Sequence, residues 1–261
     1  MPAHPQPVRP VFDAAAAEYD AARPSYPPAL FDELERVAGP LAGRLVLDWG
    51  AGTGISGRQL AARGARVALL DIGGQMLRQA RARDPRSACV LADGNRMPVR
   101  PASADLTTFA QSWHWFGQPE APAEVARVLR PGGFWAAWWN RAKAAGQDWF
   151  ERYQDVVVAS CPGYSWRNKS DELLAPDWAD PAVRAAGLVE PAATIIVPWT
   201  RRVPAAQWIT DERSKSYVIE LAPDRRESVL GELAAIIAGE FPAGEMIVPY
   251  ITTLLVVRKA G

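Results

Sequence analysis

The chain has 261 residues, with 29 Lys plus Arg against 29 Asp plus Glu, a formal net charge of zero and a pI of about 6.8. Balanced charge disfavours a whole-surface grip on nucleic acid or anionic membrane, and 49% hydrophobic with 22% charged residues is the composition of a folded, soluble protein. Cys89 and Cys161 are too few for a disulfide framework, and no C-x-x-C or H-x-x-x-H spacing offers a metal site, so a reducing, cytoplasmic setting without a metal is expected.

Residues 1–10 carry proline at every second or third position and no apolar signal-peptide core; they read as a tail ahead of one domain over 11–261. The longest apolar stretch, 134–139, is far short of the roughly 18 residues a membrane span needs. Helical spacing covers 11–19 and 28–38, the second opened by Pro27-Pro28. Then short apolar runs begin to alternate with helices: strands at 44–49, 65–70, 88–92, 104–110 and 133–140, helices at 56–63, 74–83 and 119–129. Such alternation predicts right-handed βαβ units in a doubly wound α/β sheet. Over 141–187 the pattern loosens, with Trp149, Tyr153, Tyr164, Trp166 and Trp178 scattered through it, and this segment reads as an insertion without a core of its own. Strand signals resume at 193–197 and 251–257, with two helical stretches between them.

The segment Asp48-Trp49-Gly50-Ala51-Gly52-Thr53-Gly54 joins the first strand to its helix, where backbone amides can face a ligand. Gly52-x-Gly54-x-x-Gly57 satisfies the dinucleotide pattern, and Asp71 follows Gly52 by 19 residues at the end of the second strand, so NAD is one candidate. Asp48, two residues before Gly50, would repel a pyrophosphate and attract an ammonium or sulfonium. A third acid, Asp93, closes the third strand beside Gly94 and is placed for an adenine amine. Three acids at three successive strand ends suit S-adenosylmethionine better than a dinucleotide.

Together, the Asp48 to Gly54 loop, Asp71 with Met76-Leu77 behind it, Ala92-Asp93-Gly94, Gln111-Ser112-Trp113-His114-Trp115-Phe116 and Arg127-Val128-Leu129-Arg130-Pro131-Gly132-Gly133 resemble a class I S-adenosylmethionine-dependent methyltransferase. Tyr19-Asp20-Ala21-Ala22-Arg23-Pro24-Ser25-Tyr26-Pro27, Trp138-Trp139-Asn140 and Ser214-Lys215-Ser216-Tyr217-Val218 are similar to the small-molecule branch around trans-aconitate methyltransferase, so the resemblance covers nearly everything after the tail.

The resemblance implies a Rossmann-like seven-stranded sheet with an antiparallel last strand and a helical lid over 141–187. It places Gly50, Ala51, Gly52 and Gly54 against the methionine part of the cofactor, Asp71 on the ribose, Met76 on the adenine and Asp93 near its amine. Tyr19 and Arg23 would close over the cofactor, and Asp48, Ile72, Gly94 and Gln111 complete its expected contacts. Tyr26, Trp113, Trp115, Trp139 and Asn140 are the expected acceptor-lining residues. His114, the one histidine outside the tail, is the candidate catalytic base. Gly73-Gly74 leaves the following helix without a side-chain cap. Arg201-Arg202 reads either as a grip on an anionic substrate or as a solvated surface pair.

The function expected is methyl transfer to a small-molecule acceptor, at a carboxylate or hydroxyl oxygen, without nucleic acid or membrane as partner. An N- or C-methyltransferase, a non-catalytic binder of the same nucleoside and an NAD-dependent reductase are the alternatives the sequence leaves open.

Overall fold

The computed structural model describes residues 23–116, 120–162, 164, 184–188 and 193–261. The first helix, α1 (Pro28–Ala38), has proline in its first turn and buries Leu30, Phe31, Leu34 and Ala38 on one face. Then come β1 (Leu45–Trp49), α2 (Ile55–Ala62), β2 (Arg66–Asp71), α3 (Gly74–Arg83), β3 (Ala88–Leu91), β4 (Ala104–Ala110), α4 (Glu120–Val128) and β5 (Leu129–Ala142). The second half contributes α5 (Asp148–Ser160), β6 (Ala193–Pro204), α6 (Ala205–Arg213), α7 (Ser216–Ile219), α8 (Pro223–Glu240) and β7 (Glu245–Arg258).

The strands form one seven-stranded sheet in the order β3-β2-β1-β4-β5-β7-β6. Strands β1 to β5 are parallel, and β7 inserts antiparallel between β5 and β6, pairing Trp138 with Leu254 and Val197 with Thr252. The doubly wound sheet with an antiparallel last strand is as expected. Its order reverses at β1 and β4, which puts a crevice at their carboxyl ends.

Strand periodicity sorts the β5 tryptophans. Trp135 and Trp139 join Leu47, Trp49 and Phe109 in the core on one face of the sheet, while Trp138 joins Leu30, Phe31, Leu34 and Leu60 on the other.

Three expectations are corrected. Strands β5, β6 and β7 run on well past their apolar centres, to lengths of 14, 12 and 14 residues. Three helices, not two, lie between β6 and β7. And the region after β5 does have a core: Trp149, Phe150, Tyr153 and Val157 of α5 pack with Trp208, Val229, Leu233, Ile237 and Val248. The long ends of β6 and β7 carry this third cluster beyond the parallel sheet. Among the described residues no helix is long and apolar enough to cross a membrane, and no group of three or more His, Cys, Asp or Glu is placed to hold a metal.

Candidate functional site

A cleft opens at the carboxyl ends of β1, β2, β3 and β4. Its floor is the turn after β1, where Gly50, Gly52 and Gly54 take φ of 61°, 55° and 75°, a region costly for residues with a Cβ. At Gly52 nothing lies within 4 Å of where a Cβ would stand, so the bare backbone borders open space. Both oxygens of Asp71 are fixed by backbone amides, Gly52 N–H to Oδ2 at 2.8 Å and Gly73 N–H to Oδ1 at 2.7 Å. The same carboxylate thus clamps the glycine turn to the start of α3, whose cap residue Gly73 has no side chain to offer. A carboxylate accepts at both oxygens, so the group that shapes the turn also presents its charge at the cleft wall.

Ile72, Gly73 and Met76 continue the wall, with Met76 buried and Ile72 half-exposed. The opposite wall comes from Ala92, Asp93 and Gly94, where Asp93 Oδ1 accepts the Asn95 amide at 2.9 Å. Gly94 is required by contact: a Cβ there would stand 1.8 Å from the Phe116 ring. Gln111 and Trp115 close the third side. Gln111 holds a φ of 60°, tied by its amide to Trp138 O at 2.9 Å and by its side-chain nitrogen to Asn140 O at 3.3 Å. Non-glycine residues at positive φ cost on the order of 1–3 kcal/mol and concentrate at functional sites.

Seven lining residues had no ligand contact expected from sequence: Leu70, Gly73, Ala92, Met97, Ala110, Ser112 and Phe116. Ser112 donates to Trp49 O at 2.6 Å, latching the turn after β4 to the end of β1. The legible signal for Phe116 was Gly94, whose missing side chain marks the ring's approach.

Asp48 does not border the cleft. It is fully buried under the glycine turn, where Oδ1 accepts the Thr108 hydroxyl at 2.7 Å. Burial pushes its carboxyl up to about 7; the Thr108 bond and the Gly57 amide lower it, and the charge of Asp71 raises it further. Its place inside the central strand, with Thr108 facing it from β4, explains the burial.

Several other expected site residues pack elsewhere. Trp113 is buried with its ring 4.7 Å from Phe109 and 5.0 Å from Trp135, because the single 3-10 turn over Trp113–Trp115 sends alternate rings inward and outward. Tyr26 lies edge-on to Trp138 at 5.9 Å, its backbone held by Gln59 through two bonds of 3.0 and 2.8 Å. Trp139 is buried and donates from Nε1 to His114 Nδ1 at 3.4 Å, which leaves the proton of a neutral ring on Nε2. His114 itself is exposed beside Trp115, with ring centres 4.8 Å apart. Asn140 is spent on the frame, accepting the Thr252 hydroxyl at 2.6 Å and donating to Ser25 O at 3.3 Å. Tyr19 lies outside the described residues.

Arg23 turns away from the cleft, toward Asp211 at 3.5 Å and Ser214 O at 3.3 Å. There it meets a buried polar network. Arg201, only 5% exposed, donates to Asp211 at 2.8 Å and to the Tyr250 hydroxyl at 3.0 Å. Arg201 is therefore no part of a solvated pair, whereas Arg202 is exposed at 3.6 Å from Glu245. Next to it Glu212 accepts Tyr153, Lys215 and Tyr217, each at 2.6 Å. Burial and the Glu212 charge push the Tyr153 hydroxyl well above its ordinary range, so it stays a donor. The 214–218 motif is thus part of a structural hub.

A family model described as a methyltransferase domain matches residues 47–137. Over 249 residues the chain is 32% identical to an uncharacterised methyltransferase of Mycobacterium tuberculosis, covering 92% of each protein. The chain belongs to the class I S-adenosylmethionine-dependent methyltransferases. A solved structure from Anaeromyxobacter dehalogenans, assigned as a type II methyltransferase, superposes on this methyltransferase with a TM-score of 0.64 at 25% identity, covering 91% of this chain and 97% of that one. The malonyl-[acyl-carrier protein] O-methyltransferase of Serratia marcescens is 35% identical over 129 residues, 49% of this chain and 50% of its own.

S-adenosylmethionine, the cofactor of the family, fits the residues present. The open space at Gly52 admits close approach to backbone, the Asp71 carboxylate lines the cleft as an acceptor for hydroxyl donors, and Ile72, Met76 and Phe116 offer apolar contact for a purine.

Proposed function

We propose that this methyltransferase modifies a small-molecule acceptor at oxygen, a carboxylate or a hydroxyl, in the manner of the trans-aconitate methyltransferase branch. The observation that carries the reading is the chemistry of the cleft wall. Among the described lining residues the ionisable side chains are Asp71 and Asp93, with no histidine, lysine or cysteine among them. Such a wall supplies alignment and exclusion of water and little proton abstraction, which suits a nucleophile that is already an anion at neutral pH. The O-methyltransferase relative from Serratia agrees with an oxygen acceptor.

The bound cofactor supplies an electrophilic methyl group on a sulfonium. The glycine turn, Asp71, Asp93 and Met76 would hold and orient its nucleoside. Trp115 and Gln111 border the side on which an acceptor would enter, and the aromatic face of Trp115 favours positive charge. The 141–187 segment, beyond the packed helix α5, would cover the acceptor.

Binding and product chemistry test the reading. Calorimetric titration is expected to show S-adenosylmethionine and S-adenosylhomocysteine binding and NAD(H) failing to bind. With methyl-labelled cofactor and a pool of small carboxylic acids, a carboxylate acceptor is expected to release the transferred label in mild alkali, as an ester does; alkali-stable label on a hydroxyl oxygen would select the hydroxyl, and alkali-stable label on nitrogen or carbon would overturn the oxygen reading.

A further inference from the structure

A second cavity, of about 480 Å³, shares no lining residue with the cofactor cleft. Its volume is in the range of small-molecule sites, roughly 300–1,000 Å³. Four arginines line it, namely Arg23, Arg58, Arg201 and Arg202, and the described lining contains no acidic side chain. Trp199, Ile55 and Val203 supply an apolar wall beside them. Arg201 is nine-tenths buried, and its guanidinium is fixed by Asp211 and Tyr250, so one face of the cavity is preorganised and not a mobile surface charge. Asp211 faces both Arg23 and Arg201, and Arg202 lies 3.6 Å from Glu245. Arg58 donates to Thr53 O at 2.7 Å and Ile55 directly follows Gly54, so residues at the end of the glycine turn border this cavity.

Resting on the methyltransferase reading, we infer that this arginine cavity binds an anionic group, a carboxylate, of the acceptor. Planar guanidiniums match carboxylate geometry, and burial strengthens such charge-assisted bonds. The aromatic face of Trp199 fits an acceptor whose carbon skeleton is apolar. The cavity shares no lining residue with the cleft that fits the nucleoside, and the cofactor-affinity arm of the test separates an acceptor carboxylate from the cofactor's own.

The test uses ligand-observed NMR saturation transfer on the full chain saturated with S-adenosylhomocysteine, with 3-phenylpropionate and its neutral counterpart 3-phenylpropionamide as probes. The acid is expected to bind at least fivefold tighter than the amide. Arg202→Gln removes an exposed cation of the lining, and Gln207→Glu adds an anion to it; each is expected to bring the acid-to-amide ratio within twofold of one while S-adenosylhomocysteine affinity stays within twofold. Equal binding of acid and amide, no binding of either, or a preference that survives both substitutions overturns the proposal. A fivefold or greater loss of S-adenosylhomocysteine affinity in the variants, with 5′-methylthioadenosine affinity unchanged, also overturns it, by assigning the cavity to the cofactor's own carboxylate. Failure of the unaltered protein to bind S-adenosylhomocysteine, measured first, is the separate result that removes the methyltransferase reading and this inference with it.

Discussion

Asp71 has two duties, and they predict two separable losses. Its oxygens hold the Gly52 and Gly73 amides, so they set the shape of the cleft before any ligand arrives, and the same carboxylate lines the cleft where ribose hydroxyls are expected. Hydrogen bonds to a charged group are worth about 1.5–3 kcal/mol, so Asp71→Ala is expected to weaken cofactor binding about ten- to a hundredfold in a calorimetric titration. Unchanged affinity in a folded variant would remove Asp71 from the site. His114 is the contrasting case, an exposed ring whose Nδ1 is engaged by Trp139 and which does not line the cleft. General-base help is typically worth about 10²–10⁴-fold. For a carboxylate acceptor, His114→Gln is expected to lower kcat by less than about tenfold, with no limb in the kcat profile near the ordinary histidine range of about 6.5. A thousandfold loss with intact cofactor affinity, together with such a limb, would make His114 the base and reject the carboxylate reading.

Among the elements, α5 changes the meaning of the tryptophans after β5. Trp149 is buried among Phe150, Tyr153, Trp208 and Phe241, with ring centres 5.2 to 6.3 Å away. Its truncation creates a cavity in the third core, so Trp149→Ala is expected to cost about 3–5 kcal/mol in urea denaturation, and not to act through acceptor selectivity alone. A stable variant with altered acceptor KM would restore it to a lid. The parallel elements were legible because each is a short apolar run or amphipathic helix bounded by glycine or proline; α1, α3 and β4 fall where the pattern puts them. The long ends of β6 and β7 were not, since half of their residues face solvent and their apolar content is diluted. The alternation was nevertheless present: Arg201 and Val203 point inward while Arg202 and Pro204 point outward, so extending β6 by period two would have revealed a buried arginine. Of the candidate site, the glycine turn, Asp71 and Gly94 were legible because backbone conformation or close contact dictates them. The inward turn of Trp113 was not, because one 3-10 turn decides which of two neighbouring rings is covered.

At the scale of the whole molecule, the apolar clusters of the described residues gather on one sheet, and a carboxyl sits at its centre. Asp48 is fully buried on β1, and burial, aided by the nearby charge of Asp71, lifts its carboxyl to about 7, against roughly 3.9 in an unfolded chain. Between those values the folded protein holds a proton that the unfolded chain has released. The contribution of the neutral carboxyl is therefore complete below about pH 4 and is lost progressively as pH rises toward 7, above which the group has no further effect. Each unit of that window is worth about 1.4 kcal/mol, so going from pH 5 to pH 7 is expected to cost the protein about 2–3 kcal/mol through this one group. Asp48→Asn cannot titrate. Urea denaturation of both proteins without cofactor at the two pH values isolates the effect, because the other titrating groups are common to both and cancel in the difference. Wild-type stability relative to the asparagine variant is expected to fall between pH 5 and pH 7. Parallel behaviour of the two proteins would show that Asp48 is ionised throughout, and would make the floor of the glycine turn a fixed negative charge beneath the cofactor instead of a neutral hydrogen-bonding group.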